Sequence, residues 1–167
     1  VEWRIRRYRR LTAGVAHGDV LEVGGGSGAN LNFYPLESRV TMLEPNPYMA
    51  RRLQKRAENL CRSISVIEGE GEDMPFAAAS FDTVLTTLVL CMVSDIDQVV
   101  AEIKRVLKPG GTFLFYEHVA ATSQLGKVLQ TGLNPAWRWL TTGCHLDRDV
   151  EQTIRTAGFR DFDFHRF

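Results

Sequence analysis

The chain has 167 residues and 44% hydrophobic side chains, enough for one domain around one core. Its 20 Lys and Arg balance 20 Asp and Glu, and the zero net charge argues against a global nucleic-acid or anionic-membrane binder. No apolar run reaches the length that spans a bilayer.

The N-terminal run WRIRRYRRL, extended to Val15, places Ile5, Tyr8, Leu11 and Val15 at roughly helical spacing among arginines. It reads as an amphipathic helix within residues 1–18 that lids a site, with peripheral contact to a membrane surface as the sharper alternative. DVLEV, Asp19 to Val23, is a buried strand that runs into four glycines within five positions: Gly24, Gly25, Gly26 and Gly28. RVTMLE, Arg39 to Glu44, is the second strand. Asn46 then caps a helix with Pro47 in its first position, and Leu53, Ala57 and Leu60 follow at helical spacing. SISVIE, Ser63 to Glu68, is the third strand. FDTVLTTLVL, Phe81 to Leu90, is the fourth, apolar on both faces as a central parallel strand is.

SDIDQVVAEIKRVLKPGG predicts a helix opened by a capping box of Ser94 and Asp97 and ended by Pro109 and Gly110. Ile96, Val99, Val100, Ile103 and Leu107 make its apolar face. GTFLFYEHV, Gly111 to Val119, is the fifth strand. Residues 122–140 look mostly helical and irregular. DRDVEQTIRTAG is a helix capped by Asp147 and closed by Gly158, and FRDFDFHRF is a sixth strand. Residues 19–120 thus form a ligand-binding core, and 121–167 supply substrate-side helices and the last strand. Strands alternating with helices predict a doubly wound α/β fold, a mostly parallel sheet with helices on both faces and its ligand at the carboxyl ends of the strands. Three cysteines without CxxC spacing, Cys61, Cys91 and Cys144, suit reduced thiols in a cytoplasmic setting.

The glycine loop admits two ligands. Gly24, Gly26 and Ala29 satisfy the G-x-G-x-x-A dinucleotide fingerprint, and Glu44, twenty residues after Gly24, stands where an acid accepts from ribose hydroxyls. NAD is therefore a fair first reading. Against it, Glu22 puts a carboxylate at the strand end, which repels a pyrophosphate but suits an ammonium or sulfonium. Gly28 gives G-x-G-x-G, which opens the loop to a compact ligand.

With EDMPF, FD and RVLKPGG downstream, the pattern VLEVGxGxG … E over residues 20–111 resembles the class I S-adenosylmethionine (SAM)-dependent methyltransferases. GANLNFYP, EPNP, GEDMPF, TLVLCMV, RVLKPGG, YEHVAA and PAW are similar to the methyltransferase-like thiol methyltransferases and their bacterial relatives. The chain departs from them at Gly25, where they carry Cys or Ala, and in lacking the membrane-anchoring N-terminal segment of the animal members. It also stops after the sixth strand, so the seventh is expected to be missing. The resemblance implies a Rossmann-like fold, SAM as cofactor, and methyl transfer to a small acceptor, first a thiol or sulfide. C- or O-methylation of a quinone- or lipid-like acceptor is the same-fold alternative. An NAD-dependent oxidoreductase and a non-catalytic SAM-binding protein are the readings from other classes.

By position, the resemblance assigns Gly24, Gly26 and Gly28 to the methionine part of SAM, with Glu22 at the same strand end. Asn30, at the start of the following helix, would hold the carboxylate with help from the helix N-terminus. Glu44, with Pro45 beside it, would accept from the ribose hydroxyls. Gly71, Glu72 and Asp73 would meet the adenine, with Glu70 as the other candidate acid. Thr87 and Leu88 would offer carbonyls to the ammonium. His118, beside Glu117 after the fifth strand, is the candidate catalytic base for a thiol. Cys144, His145, Asp147 and His118 fit no strong metal motif, so no metal is expected. TTLVLCMV stands where DNA N-methyltransferases carry an Asp/Asn-Pro-Pro-aromatic motif, so a small molecule is the expected partner, not nucleic acid. The oligomeric state is not legible.

Overall fold

Helix and strand alternate along a sheet whose order reverses in the middle. The computed structural model describes residues 2–60, 64–117, 128, 130–135, 137, 144–145, 148–160 and 163–164. Helix α1 (Glu2–Leu11) leads through a 3-10 turn (Ala13–Val15) into β1 (Asp19–Val23). Then come β2 (Arg39–Glu44), α2 (Pro47–Glu58), β3 (Ile64–Glu68), β4 (Phe81–Thr87), α3 (Ile96–Val106), β5 (Leu107–Tyr116) and α4 (Val150–Thr156). The sheet order is β3-β2-β1-β4-β5, and all its pairings are parallel. The chain therefore switches direction across the sheet between β1 and β4, where open α/β sheets leave a crevice at their carboxyl ends. Val23 faces Leu43 on one side and Thr86 on the other, and Thr87 faces Tyr116, so these four strands end together.

Alternation along the strands divides the core. Leu21, Val23, Leu43 and Val84 pack with Val99, Val100, Ile103 and Ile154 under α3 and α4. Val20, Met42 and Leu85 pack with Leu31, Leu53 and Ala57 on the α2 side. The amino end of the sheet is closed by charge. Asp82 accepts from the Asp19 backbone N–H at 2.8 Å and from Lys108 Nζ at 2.9 Å, while Asp19 takes Arg39 Nε at 2.6 Å and Lys108 Nζ at 3.2 Å. Arg39 and Lys108 hold the Asp19 carboxyl down at about 2.

Several details differ from the sequence reading. No regular helix follows the glycine loop: residues 26–33 form successive turns, in which the glycines bend the backbone too tightly for a helical register. The cap of α3 is Asp95, whose side chain accepts from Gln98 N–H at 3.0 Å, and Ser94 lies outside it. The cap of α4 is Asp149 rather than Asp147, which lies outside the described residues. The fifth strand begins at Leu107, not Gly111: the KPGG segment is a bulged excursion, with Phe81 opposite Leu107 but Thr83 opposite Thr112. Of the expected sixth strand, the described residues Phe159, Arg160, Asp163 and Phe164 are in no strand.

Candidate functional site

The glycine loop continues β1 at the crevice. Gly24 and Gly25 donate to the Leu43 carbonyl at 2.8 and 3.0 Å, which ties the loop to β2. A methyl group added at Gly28, whose φ is +79°, would lie 2.5 Å from Leu31 and 2.7 Å from Leu53. One added at Gly26, with φ +54°, would meet nothing within 4 Å. The backbone at Gly26 is therefore bare because the space above it is open, while Gly28 is bare because the core fills it. Gly25 has the second reason as well: a Cβ there would press on Leu53 at 2.9 Å and Met42 at 3.2 Å.

Two buried acids flank this loop. Glu44, at the end of β2, accepts from Gly26 N–H at 2.8 Å and from Asn46 N–H at 3.0 Å. Pro45 beside it is exposed. Glu22 in β1 accepts from the Tyr34 hydroxyl at 2.6 Å and from the Asn30 amide at 2.7 Å. Burial strips solvent from Glu22 and pushes its pKa up to about 7, against the Tyr34 and Asn30 hydrogen bonds and the Arg9 charge, which lower it. Asn30 also donates to Thr87 Oγ1 at 3.0 Å and accepts from Arg9 of α1. Tyr8 of α1 stacks on Tyr116 of β5, with ring centroids 5.3 Å apart. Helix α1 thus rests on the same strand ends as the loop.

The segment after β3 is held from α3. Arg105 donates to the carbonyls of Met74 and Phe76, and Glu102 accepts from Met74 N–H at 2.8 Å. Glu72 accepts from the Ser94 and Asp95 amides at 2.9 and 3.2 Å, so its carboxylate serves the start of α3. Asp73 is exposed, and its charge is felt by Arg105. Glu70 is exposed, and among the described residues no hydrogen bond involves its side chain; Gly71 beside it is buried against Val23 and Val99.

After β4 the chain turns at Leu88, a non-glycine residue with φ +58°, whose N–H donates to Tyr116 O at 2.8 Å. Val89 N–H donates to Glu117 Oε1 at 3.0 Å. Burial pushes Glu117 up to about 7 although the Val89 and Leu90 amides pull it down. The Thr86 hydroxyl lies close enough to lower it too, but neither Thr86 Oγ1 nor Glu117 Oε2 completes a hydrogen bond of normal geometry.

The family described as "methyltransferase domain" matches residues 21–115, from β1 into β5. The chain belongs to the methyltransferase domain family. It is 43% identical over 144 residues to the Homo sapiens thiol S-methyltransferase TMT1A, covering 84% of this chain and 59% of that protein. It is 38% identical over 164 residues to thiol S-methyltransferase TMT1B of Homo sapiens, covering 96% of this chain and 67% of that protein. The chain thus spans about three fifths to two thirds of these relatives. The YcgJ protein of Bacillus subtilis shares the fold, with a TM-score of 0.79 at 22% identity over 94% of this chain and 68% of that one.

In this methyltransferase domain Gly24, Gly26, Glu22, Asn30, Glu44, Thr87 and Leu88 gather around the carboxyl ends of β1, β2 and β4, with Gly28 beneath them. Glu72 is drawn away to α3, and Asn30 stands in a turn rather than at a helix start. His118 lies outside the described residues. Sequence reasoning missed Tyr34 and Arg9, the partners of Glu22 and Asn30. The run of α1 arginines signals a charged face but not which arginine turns inward. Among the described residues, no helix is long and apolar enough to cross a membrane.

Proposed function

We propose that the domain binds SAM across the carboxyl ends of β1, β2, β3 and β4 and transfers its methyl group to the sulfur of a small thiol. The observation that carries the reading is Glu44, a buried acid at the end of β2 that brackets the Gly26 N–H while open space lies over Gly26. A ribose diol fits a carboxylate fixed in this way, and the bare loop suits close approach of a compact ligand. SAM supplies a methyl group already activated on a sulfonium, so the chain has to align, desolvate and deprotonate.

In this reading Glu44 accepts from the ribose hydroxyls and Glu70, with the Gly71 backbone, meets the adenine. Thr87 and Leu88 offer their carbonyls to the ammonium, near the Glu22 charge. Residues 1–18 act as a lid, which the Tyr8–Tyr116 stack and the Arg9–Asn30 hydrogen bond support. His118 takes the thiol proton, a modest task because a thiol needs only ionisation to become a strong nucleophile. The thiol acceptor itself is supported by the identity to the thiol S-methyltransferases.

Calorimetric titration with SAM, S-adenosylhomocysteine and NAD⁺, followed by methyl-transfer assays on small alkyl thiols and a quinol, tests the reading. Micromolar binding of the first two with turnover on thiols is expected. Binding of NAD⁺ alone overturns the cofactor; SAM binding with turnover on the quinol and none on thiols overturns the acceptor.

A further inference from the structure

We propose that Cys91 and Cys144 form a reversible dithiol–disulfide couple with Glu117 as its proton acceptor. Cys144 Sγ donates to Cys91 Sγ at 3.2 Å across 53 residues of sequence. Both cysteines are reduced and buried, Cys91 at 1% exposure and Cys144 at 4%. A disulfide bond is about 2.05 Å long, so the sulfurs have only ~1.2 Å to close.

The backbones on either side of this contact are already docked. His145 N–H donates to the Cys91 carbonyl at 2.7 Å, and Arg148 donates to the Leu90 carbonyl at 2.9 Å. Glu117, the residue after β5, reaches the loop that carries Cys91: its Oε1 accepts from Val89 N–H at 3.0 Å, two residues before Cys91. Its charge acts on Cys91, the Cys91 amide in turn lowers its own pKa, and its Oε2 is buried without a hydrogen-bond partner. A carboxylate oxygen in that position can accept the proton that a buried thiol must lose before it acts as a nucleophile. Burial, the Cys144 contact and the Glu117 charge all raise the Cys91 thiol, so Cys91 keeps its proton until Glu117 takes it.

The oxidant is a small disulfide of the glutathione class. Cys144 gives its proton to water and its thiolate attacks one of the two sulfurs, forming a mixed disulfide and releasing one small thiolate, which takes up a proton in turn. Cys91 then gives its proton to Glu117 Oε2 and displaces the second small thiolate, closing the Cys91–Cys144 bond. The proton passes from Glu117 to a departing thiolate, so the carboxylate is restored. Two protein thiols and one small disulfide become one protein disulfide and two small thiols. The closed bond tethers the Cys144–His145 stretch covalently to the loop that follows β4.

The test uses the chain with Cys61→Ser, equilibrated in graded mixtures of reduced and oxidised glutathione at pH 7. Samples are quenched with acid and alkylated under denaturing conditions, then measured by intact mass and peptide mapping. The expected oxidised form has lost two hydrogen atoms, takes up no alkylating reagent, links the Cys91 and Cys144 peptides, and reverts with dithiothreitol. Adding Cys144→Ser should abolish the link. Glu117→Gln should slow closure by about tenfold or more while Cys91 and Cys144 remain the linked pair. The couple is overturned if both thiols stay alkylatable at the oxidised end, or if each carries its own glutathione adduct. Closure of Glu117→Gln at the unsubstituted rate overturns the role of Glu117. Far-UV circular dichroism of each sample distinguishes these results from unfolding.

Discussion

The Glu22→Gln substitution reads the electrostatics of the crevice directly. Glu22 is fully buried, and loss of solvation raises its pKa from an ordinary 4.5 to about 7. A carboxyl group raised in the folded state gives stability that is complete below pH 4.5 and is lost as pH climbs through about 7. At ~1.4 kcal/mol per pKa unit, the charge on Glu22 costs the folded chain about 3 kcal/mol by pH 8, a large part of a typical ~5–15 kcal/mol. The facing groups set the balance: Tyr34 and Asn30 donate to the carboxylate, Arg9 attracts it, and Glu44 repels it. Glutamine matches the protonated acid in shape. Its carbonyl can accept from Asn30, and its amide can donate to the Tyr34 oxygen once that hydroxyl turns.

Urea unfolding followed by circular dichroism at pH 5, 6, 7 and 8 supplies the measurement. The variant should exceed the unsubstituted chain by under about 1 kcal/mol at pH 5 and by about 3 kcal/mol at pH 8. Glu117 titrates in the same range but is common to both chains, so it cancels in the difference. A constant difference across pH, of either sign, refutes the assignment of this charge to a desolvated Glu22. SAM affinity supplies a second reading. A bound ammonium favours ionised Glu22, so binding should tighten from pH 6 to 8 in the unsubstituted chain and lose that dependence in the variant.

Gly28→Ala should cost about 2–4 kcal/mol in thermal or urea unfolding, because it combines positive φ with collision against Leu31 and Leu53. Gly26→Ala, which meets no atom, should cost only about 1 kcal/mol in stability yet lower SAM affinity by tenfold or more in calorimetry; equal losses at both sites would sink the open-cleft reading. Glu44→Ala should weaken SAM by at least about tenfold, and unchanged affinity would remove the ribose assignment. His118→Ala should lower thiol turnover most at low pH, where the acceptor still carries its proton, and a pH profile identical to that of the unsubstituted chain would take His118 out of the mechanism.

What the sequence made legible follows the distance over which each residue is determined. β1 and β2 have the expected bounds, and α2 starts at Pro47 under an Asn46 cap, because strand pattern, cap and proline act within a few residues. The cap of α3 was misplaced by one because Ser94 and Asp95 are both good caps. Glu72 accepts from the backbone amides of both Ser94 and Asp95 from 22 and 23 residues away, a contact at the helix start that local spacing does not show. The same contact engages Glu72 at the start of α3, which is why the proposed adenine contact falls to Glu70. A motif read in one dimension shows four acids in EGEGED and cannot tell which of them the fold has already engaged.

The family motifs themselves do different work at the two ends of the sheet. VLEVGGGSG and the acid of EPNP build the crevice. The Asp of FD and the Lys of LKPGG meet at the opposite end, where Asp82 and Lys108 close the start of β4 and β5 on Asp19. Gly18, with φ +69°, is bare there for the same reason: a Cβ would lie 2.4 Å from the Asp82 carboxylate. These motifs therefore report the register of the parallel sheet as strongly as they report its chemistry. Register in turn fixes chemistry, because a one-residue slip of β4 would send Thr87 to the other face and take its hydroxyl from Asn30. The charged lock at the amino end is thus part of how the carboxyl end keeps its geometry, although its residues lie at the opposite edge of the sheet from the crevice.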